Sequence, residues 1–207
     1  MIAWVAWPIL SFELLVSPSY SNIIRPIPDE IVAQALDNQF GQILGSASLD
    51  YTKASNWFPK SPPKKEEKEK AKAFTMSIPK LGITDAVAVL SGEDLNKSLI
   101  HYGGTALPGE YGNTVVFGHS VLPIFFNPKN YLTIFSTLPT LKEGDEIDVF
   151  SDNVRYRYIV YEMKVVSPDD VAVLEQKYDW SYLSLVTCVP PGTYWKRLIV
   201  RARLEKL

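Results

Sequence analysis

The sequence predicts a mainly β domain, a small barrel or sandwich, with a helical or membrane-anchoring extension ahead of it. Three observations carry that expectation. From residue 73 onward the chain breaks into seven or eight short β-rich runs separated by Gly, Pro, Asn and Asp turn signals. No Gly-rich phosphate loop and no alternation of strands with long helices appears, which disfavours a doubly wound nucleotide-binding fold. Between Lys60 and Lys72 the composition shifts to six Lys and three Glu, with Ala71 the one apolar side chain besides the prolines. Such a tract cannot bury enough surface to order itself and reads as a solvated spacer. The expected organisation is therefore 1–20 as a membrane-anchor remnant or N-terminal helix, 21–72 as a helix and charged spacer, and 73–207 as the folded domain.

Met1 to Val16 is nearly all apolar but is shorter than the ~20 residues of a full span, carries Pro8 and Glu13, and has no basic residue before Arg25. Trp4 and Trp7 suit a membrane interface, so the run reads as part of a longer anchor. Ile31, Val32, Ala35 and Leu36 recur at helical spacing after Asp29, and residues 40–58 show no clear period. In the domain, Phe74–Ile78 and Asp85–Leu90 read as strands, and Glu93–Ile100 as one or two helical turns. Asn113–Phe117 reads as a strand entered from a Gly turn, and Tyr131–Leu138 as a short helix stopped by Pro139. Glu146–Phe150 and Arg155–Val166 are strands; Val171–Gln176 is a helical stretch opened by Pro168-Asp169-Asp170. Trp180–Thr187 and Trp195–Leu204 are the last strands.

The chain has 207 residues, enough for one compact domain plus extensions. Its 21 Lys+Arg against 23 Asp+Glu offer no basic excess, so a nucleic-acid partner is not expected. With one Cys and two His, an intramolecular disulfide and a Cys-rich zinc site are both excluded.

The lone thiol, Cys188, stands where the run Tyr182–Thr187 meets Pro190-Pro191, residues that cannot extend a ladder. Strand ends beside loops are where a scaffold holds a reactive group open to solvent. His119 occupies the matching end of Asn113–Phe117, after Gly118; His101 reads as structural or surface. In the last strand, Arg197, Ile199, Arg201 and Arg203 share one face and Leu198, Val200, Ala202 and Leu204 the other. Arg197 is the guanidinium nearest the Cys188 loop. A thiol of pKa about 8.5 is only a few per cent thiolate at pH 7. A neighbouring cation raises that fraction, an imidazole can protonate a leaving amine, and a guanidinium can bind a developing oxyanion. The set suits thiol acyl transfer.

At these residues the chain resembles the sortase family, cysteine transpeptidases of bacterial cell surfaces. Ser184-Leu185-Val186-Thr187-Cys188 is similar to the family's Thr-Leu-x-Thr-Cys signature, with Ser in the first place. Pro108 to Ser120 resembles the segment carrying the family's His, and Lys196 to Ala202 the strand carrying its Arg; the likeness covers Met76 to Leu204. It implies an eight-stranded β-barrel in which Cys188 attacks the Thr–Gly bond of a Leu-Pro-x-Thr-Gly-like sorting signal. His119 would serve as general acid and base, and Arg197 would hold the oxyanion. Thr187 would contact substrate or support the oxyanion site. Val166–Trp180 would be the loop over the signal, with Pro168, Val171, Val173 and Leu174 as an apolar wall for its Leu-Pro part. Implied partners are surface proteins bearing a C-terminal sorting signal and an amine acceptor, either a cell-wall precursor or a pilin lysine. The membrane would be engaged through the N-terminus, and the catalytic domain would lie on the extracytoplasmic face. No metal or other cofactor is assigned. The Val189–Tyr194 loop is similar to pilin-type or related non-housekeeping members. The Asp-Pro-aromatic lid motif of many pilin-type enzymes is absent before the barrel; Trp57-Phe58-Pro59 is not one. Class, sorting motif and acceptor stay open. A papain-like peptidase is disfavoured because His119 precedes Cys188. A non-catalytic barrel that only binds sorting signals is the rival from a different class.

Overall fold

The structure is a computed structural model that describes residues 50–58 and 73–205. The expected anchor in 1–20, the helical pattern after Asp29 and the charged tract Lys60–Lys72 lie outside the described residues. Among the described residues no helix is long and apolar enough to cross a membrane.

Eight strands form a closed barrel, as expected: β1 (Ala73–Ile78), β2 (Ile83–Leu90), β3 (Leu99–His101), β4 (Gly112–Phe117), β5 (Glu146–Ser151), β6 (Val154–Val166), β7 (Ser181–Val189) and β8 (Lys196–Leu204). Around the barrel the order is β1-β2-β3-β4-β7-β8-β6-β5. Pairs β2/β3 and β4/β7 are parallel and the rest antiparallel. Closure leaves no free sheet edge, and period-2 alternation then sorts every strand into an inner and an outer set. Leu183, Leu185 and Val189 of β7 and Leu198, Val200 and Ala202 of β8 fill the interior with Met76, Ile83, Val116 and Tyr158. The outer set of the same strands is also apolar near one end. Val115, Phe117, Val186, Cys188 and Ile199 form a second buried cluster with Trp57, Phe58 and Val173. That second cluster is where the site lies.

Two helical expectations give way to tertiary pairing and side-chain capping. Leu99–His101 is a strand parallel to β2, Asp94 bridges Lys53 and residues 95–97 form a turn, because Leu95, Leu99 and Ile100 are all buried by non-local packing. His101 accordingly sits in a strand and is buried, with Nε2 3.0 Å from Thr105 Oγ1 and 3.1 Å from the Ala106 carbonyl. Tyr131–Leu138 is a series of turns closing in a 3-10 turn at Leu138–Thr140. Asn130 Oδ1 accepts from Leu132 N, and Thr133 Oγ1 donates to the Asn127 carbonyl, so short polar side chains compete for the backbone groups a helix would use. The stretch after Asp170 is a 3-10 turn, Val171–Leu174, capped by the Asp170 carboxylate on Ala172 N at 3.1 Å.

Candidate active site

Cys188 is the eighth residue of β7, one short of its end, and lies directly opposite Arg197 in the antiparallel ladder with β8. Facing residues in such a ladder lie about 4.5–5.5 Å apart at Cα, so the pairing alone brings thiol and guanidinium to one spot. His119 arrives from the other neighbour: β4 runs parallel to β7 with Phe117 beside Val186, and Gly118 N continues the ladder to the Val186 carbonyl at 3.1 Å. The chain can make that passage only with a glycine. A Cβ on Gly118 would fall 2.5 Å from Phe135 Cδ2 and 2.7 Å from Leu99 Cδ2, so the requirement is space rather than backbone angle. Two side chains tie the strand ends together: Thr187 Oγ1 donates to the Gly118 carbonyl at 2.8 Å, and Ser120 Oγ donates to the Cys188 carbonyl at 2.6 Å.

These bonds decide the place of Thr187. It points to the barrel side of β7, fully buried, with its hydroxyl committed to Gly118. It therefore joins the strands that carry His119 and Cys188, from the face of β7 opposite the Cys188 side chain. Val171, Val173 and Leu174 do pack into the outer cluster with Cys188, whereas Pro168 stays half-buried outside it. Arg197 is fully buried, Arg201 is half-buried on Glu162 at 3.1 Å, and Arg203 is exposed.

Sequence reasoning missed what covers the site. Residues Tyr51–Phe58, with a 3-10 turn at Ala54–Trp57, form a strap across the outer face. Its backbone is held by Ala54 N to the Glu93 carbonyl (3.2 Å) and Leu95 N to the Thr52 carbonyl (3.0 Å). Tyr51 stacks on Tyr194 at 4.3 Å and accepts the Trp57 indole N–H on its carbonyl. Trp57 lies 5.5 Å from the Phe117 ring and 5.9 Å from the His119 ring. The Arg197 guanidinium sits 5.4 Å from the Trp57 ring and 5.8 Å from Tyr51, and Nη2 donates to the Trp57 carbonyl at 3.2 Å. The available signal was an aromatic pair, Trp57-Phe58, in an otherwise polar stretch. Asn113 and Gln176 were missed too. Asn113 Nδ2 donates to the Val173 carbonyl (2.8 Å), and Gln176 bonds both the N–H and the carbonyl of Asn113, pinning the β6–β7 connection to the sheet.

Electrostatically the covered site is at rest. Burial pushes the Cys188 thiol up to about 11, with Arg197 pulling weakly the other way. Burial also lowers His119, against the opposing pull of Asp94 and Asp50, which favours the neutral imidazole. Arg197 nevertheless remains a buried cation with no carboxylate partner among the described residues, its Nη groups donating only to the Tyr194, Lys196 and Trp57 carbonyls. Its Nε and His119 Nε2 have no hydrogen-bond partner among the described residues. Buried polar groups are almost always satisfied, and an unpaired buried charge is costly. Both nitrogens are therefore free to bond an incoming polar group. No group of three or more His, Cys, Asp or Glu that could hold a metal ion occurs among the described residues.

Thiol, imidazole and guanidinium on this barrel are the groups that cysteine acyl transfer requires. The Sortase domain model matches residues 76–205, and the chain belongs to the sortase family. It is 26% identical over 129 residues to Sortase D of Bacillus subtilis (strain 168), a match covering 60% of each chain, so the chain spans well under the whole length of that curated relative. Among solved structures it is similar to a Clostridium perfringens Sortase D5 transpeptidase (30% identity, TM-score 0.56, covering 66% of this chain and 82% of that one). It is also similar to Sortase A from Corynebacterium diphtheriae (25% identity, TM-score 0.57, covering 100% and 94%).

Proposed function

We propose that this chain is a cysteine transpeptidase acting on a Leu-Pro-x-Thr-Gly-like sorting signal. The observation that carries the reading is the register pair Cys188–Arg197, with His119 on the strand beside β7 and with Arg197 Nε and His119 Nε2 lacking hydrogen-bond partners among the described residues. When the strap leaves, the thiol regains water and the field of Arg197, and its ionised form becomes accessible. The Cys188 thiol gives its proton to His119, the resulting thiolate attacks the carbonyl carbon of the Thr–Gly bond, and the electron pair moves to the carbonyl oxygen. Arg197 donates to that oxyanion, for which its fixed, pre-paid position suits it. His119 passes a proton to the glycine nitrogen, the C–N bond breaks and a thioester remains. An incoming amine, from a cell-wall precursor or a pilin lysine, gives its proton to His119, attacks the thioester carbonyl and releases the Cys188 thiolate. Water in place of the amine gives hydrolysis. The strap is a competitor for the same space, so the signal binds only by displacing Trp57.

We also propose that the domain works on the extracytoplasmic face, tethered through the apolar Met1–Val16 run; a product found wholly in the cytosolic fraction would refute this. The catalytic proposal is tested by mass spectrometry of the full chain with Leu-Pro-x-Thr-Gly peptides and triglycine. A Cys188-dependent thioester adduct and an exchanged peptide are expected. Peptide binding without any adduct in the parent, retained in Cys188→Ala, would establish the non-catalytic binding barrel instead.

A further inference from the structure

Two loops leave the candidate site, and both present large apolar side chains to solvent. The first follows His119 at once. Its segment Val121–Phe126 is apolar throughout, and the 3-10 turn Pro123–Phe125 within it buries no residue. The second follows β7, which carries Cys188, and ends in Tyr194-Trp195 before β8. The two are neighbours: Ser120 Oγ donates to the Cys188 carbonyl, and a Cβ on Gly192 would lie 3.5 Å from Leu122 Cγ. Ile124 is 67% exposed, Phe125 65%, Trp195 61% and Tyr194 49%. Single exposed apolar residues are ordinary, but four large ones on two touching loops are the kind of patch that marks an interaction site.

Three features of the patch fit a lipid surface. Trp and Tyr join an apolar body to a polar tip, and beside Phe and Ile they are suited to the membrane–water boundary. Lys129 and Lys196 stand close in sequence to the exposed residues, and neither 120–130 nor 190–196 contains a carboxylate, which favours anionic headgroups. The carboxylates Asp50, Glu93 and Asp94 belong instead to the head of the strap and to the connection before β3. The third feature is the path of the chain. Tyr51 stacks on Tyr194 at 4.3 Å, so the sequence that leads back to the apolar Met1–Val16 run joins the domain at the edge of the patch. Resting on the membrane-tether reading above, we propose that the domain lies on the membrane with these two loops in the lipid interface, Ile124, Phe125, Tyr194 and Trp195 set among the headgroups. His119 and Cys188, at the roots of the same loops, then stand next to the bilayer, and the protein meets its partners at the lipid surface instead of in bulk solution.

The test reads depth at single positions in the full chain. In a Cys188→Ala background, which removes the native thiol, one cysteine is introduced by Phe125→Cys, Trp195→Cys or Tyr178→Cys and labelled with an environment-sensitive fluorophore. Tyr178 is exposed too, but it precedes β7 and lies beside Gly112 at the start of β4, away from the strand ends that carry the site. Vesicles of phosphatidylglycerol and phosphatidylcholine carry lipids with a nitroxide near the headgroup. Flotation of the chain with the vesicles tests the tether, and quenching of the label tests the patch. Quenching at 125 and 195 is expected to exceed that at 178 by about threefold or more, as for side chains inserted into the headgroup region. Melting temperatures verify that each barrel is folded, and either loop position decides should the other variant fail to fold. Flotation with equal quenching at all positions overturns the proposal and leaves the tether standing. No flotation overturns both. Shielding of 125 and 195 that needs no vesicles and is lost on dilution overturns it in favour of a second copy of the chain.

Discussion

Truncating the strap at its centre should switch the Cys188 thiol from inert to reactive, and the size of the change follows from burial. Trp57→Ala deletes the ring that covers His119, the face on which the Arg197 guanidinium rests and the stack on Phe117. Losing a fully buried Trp costs closure about 3–5 kcal/mol, enough to populate the open arrangement. Closed, the thiol is pushed up to about 11, so at pH 7.5 roughly three molecules in ten thousand carry a thiolate. Opened to an ordinary thiol pKa near 8.5, about one in ten does, a gain of roughly 300-fold. A less basic thiolate is also a weaker nucleophile, which with a Brønsted coefficient of ~0.4–0.5 takes back about 10- to 20-fold. Iodoacetamide should therefore alkylate Cys188 about 20-fold faster in the variant, before any gain in steric access is counted. Intact-mass spectrometry over time gives the rate, and the melting temperature verifies that the barrel survives. A rate within twofold of the parent, with the barrel folded, would mean the strap does not govern the thiol, and the competition between strap and signal would go with it.

Other residues of the site make separable predictions. His119 is depressed by burial, so the unfolded chain binds its proton first as pH falls. Stability held above about pH 6.5 is then lost between the unfolded value and the lower folded one, and His119→Asn should flatten the fall in melting temperature from pH 7 to pH 5; an unchanged slope would refute the burial argument. Gly118→Ala must displace Phe135 or Leu99, and is expected to lower kcat/KM at least tenfold through misplacement of His119; activity within twofold of the parent would refute the space argument. Arg197→Lys loses the planar fork that reaches three carbonyls, so kcat should fall about 100-fold without rescue by the retained charge, while near-parent turnover would assign Arg197 a structural part only. Asn113→Ala leaves the Ser184 hydroxyl and the Val173 carbonyl without their partner, at about 1–3 kcal/mol, and should raise KM more than it lowers kcat.

How much of this was legible in the chain follows a physical line. Strand alternation is local and has a strict period, so the inward Leu198, Val200 and Ala202 and the outward Arg197 could be placed from spacing alone. The barrel order could not be read the same way. Closure brings β4 beside β7 and β8 beside β6, pairings set by long-range packing that no local pattern records. Short apolar runs were ambiguous for the same reason, as Leu99–His101 shows by pairing with β2 instead of coiling. Thr187 sits next to the nucleophile in sequence yet on the opposite face in space, because adjacent residues of a strand always do. The strap was hidden most completely: Arg197 Nη2 meets the Trp57 carbonyl across 140 positions of chain, and only folding makes them neighbours.

The burial of Arg197 links these observations into one argument. A guanidinium removed from water without a carboxylate is a poor way to stabilise a barrel, since an apolar residue in that place would cost less. Its retention there makes sense if the charge is held for an anion that exists only during reaction, and the strap then supplies the Trp57 carbonyl and the Trp57 and Tyr51 ring faces as a temporary substitute. The same contacts explain why closure silences the thiol: they satisfy the cation that would otherwise favour the thiolate, and they exclude the water that would solvate it. On the transpeptidase reading proposed above, a peptide that reaches the site replaces the strap's contacts, with a carbonyl oxygen where the Trp57 carbonyl stood. On that reading, closure and catalysis use one set of contacts, occupied alternately by the chain and by its substrate.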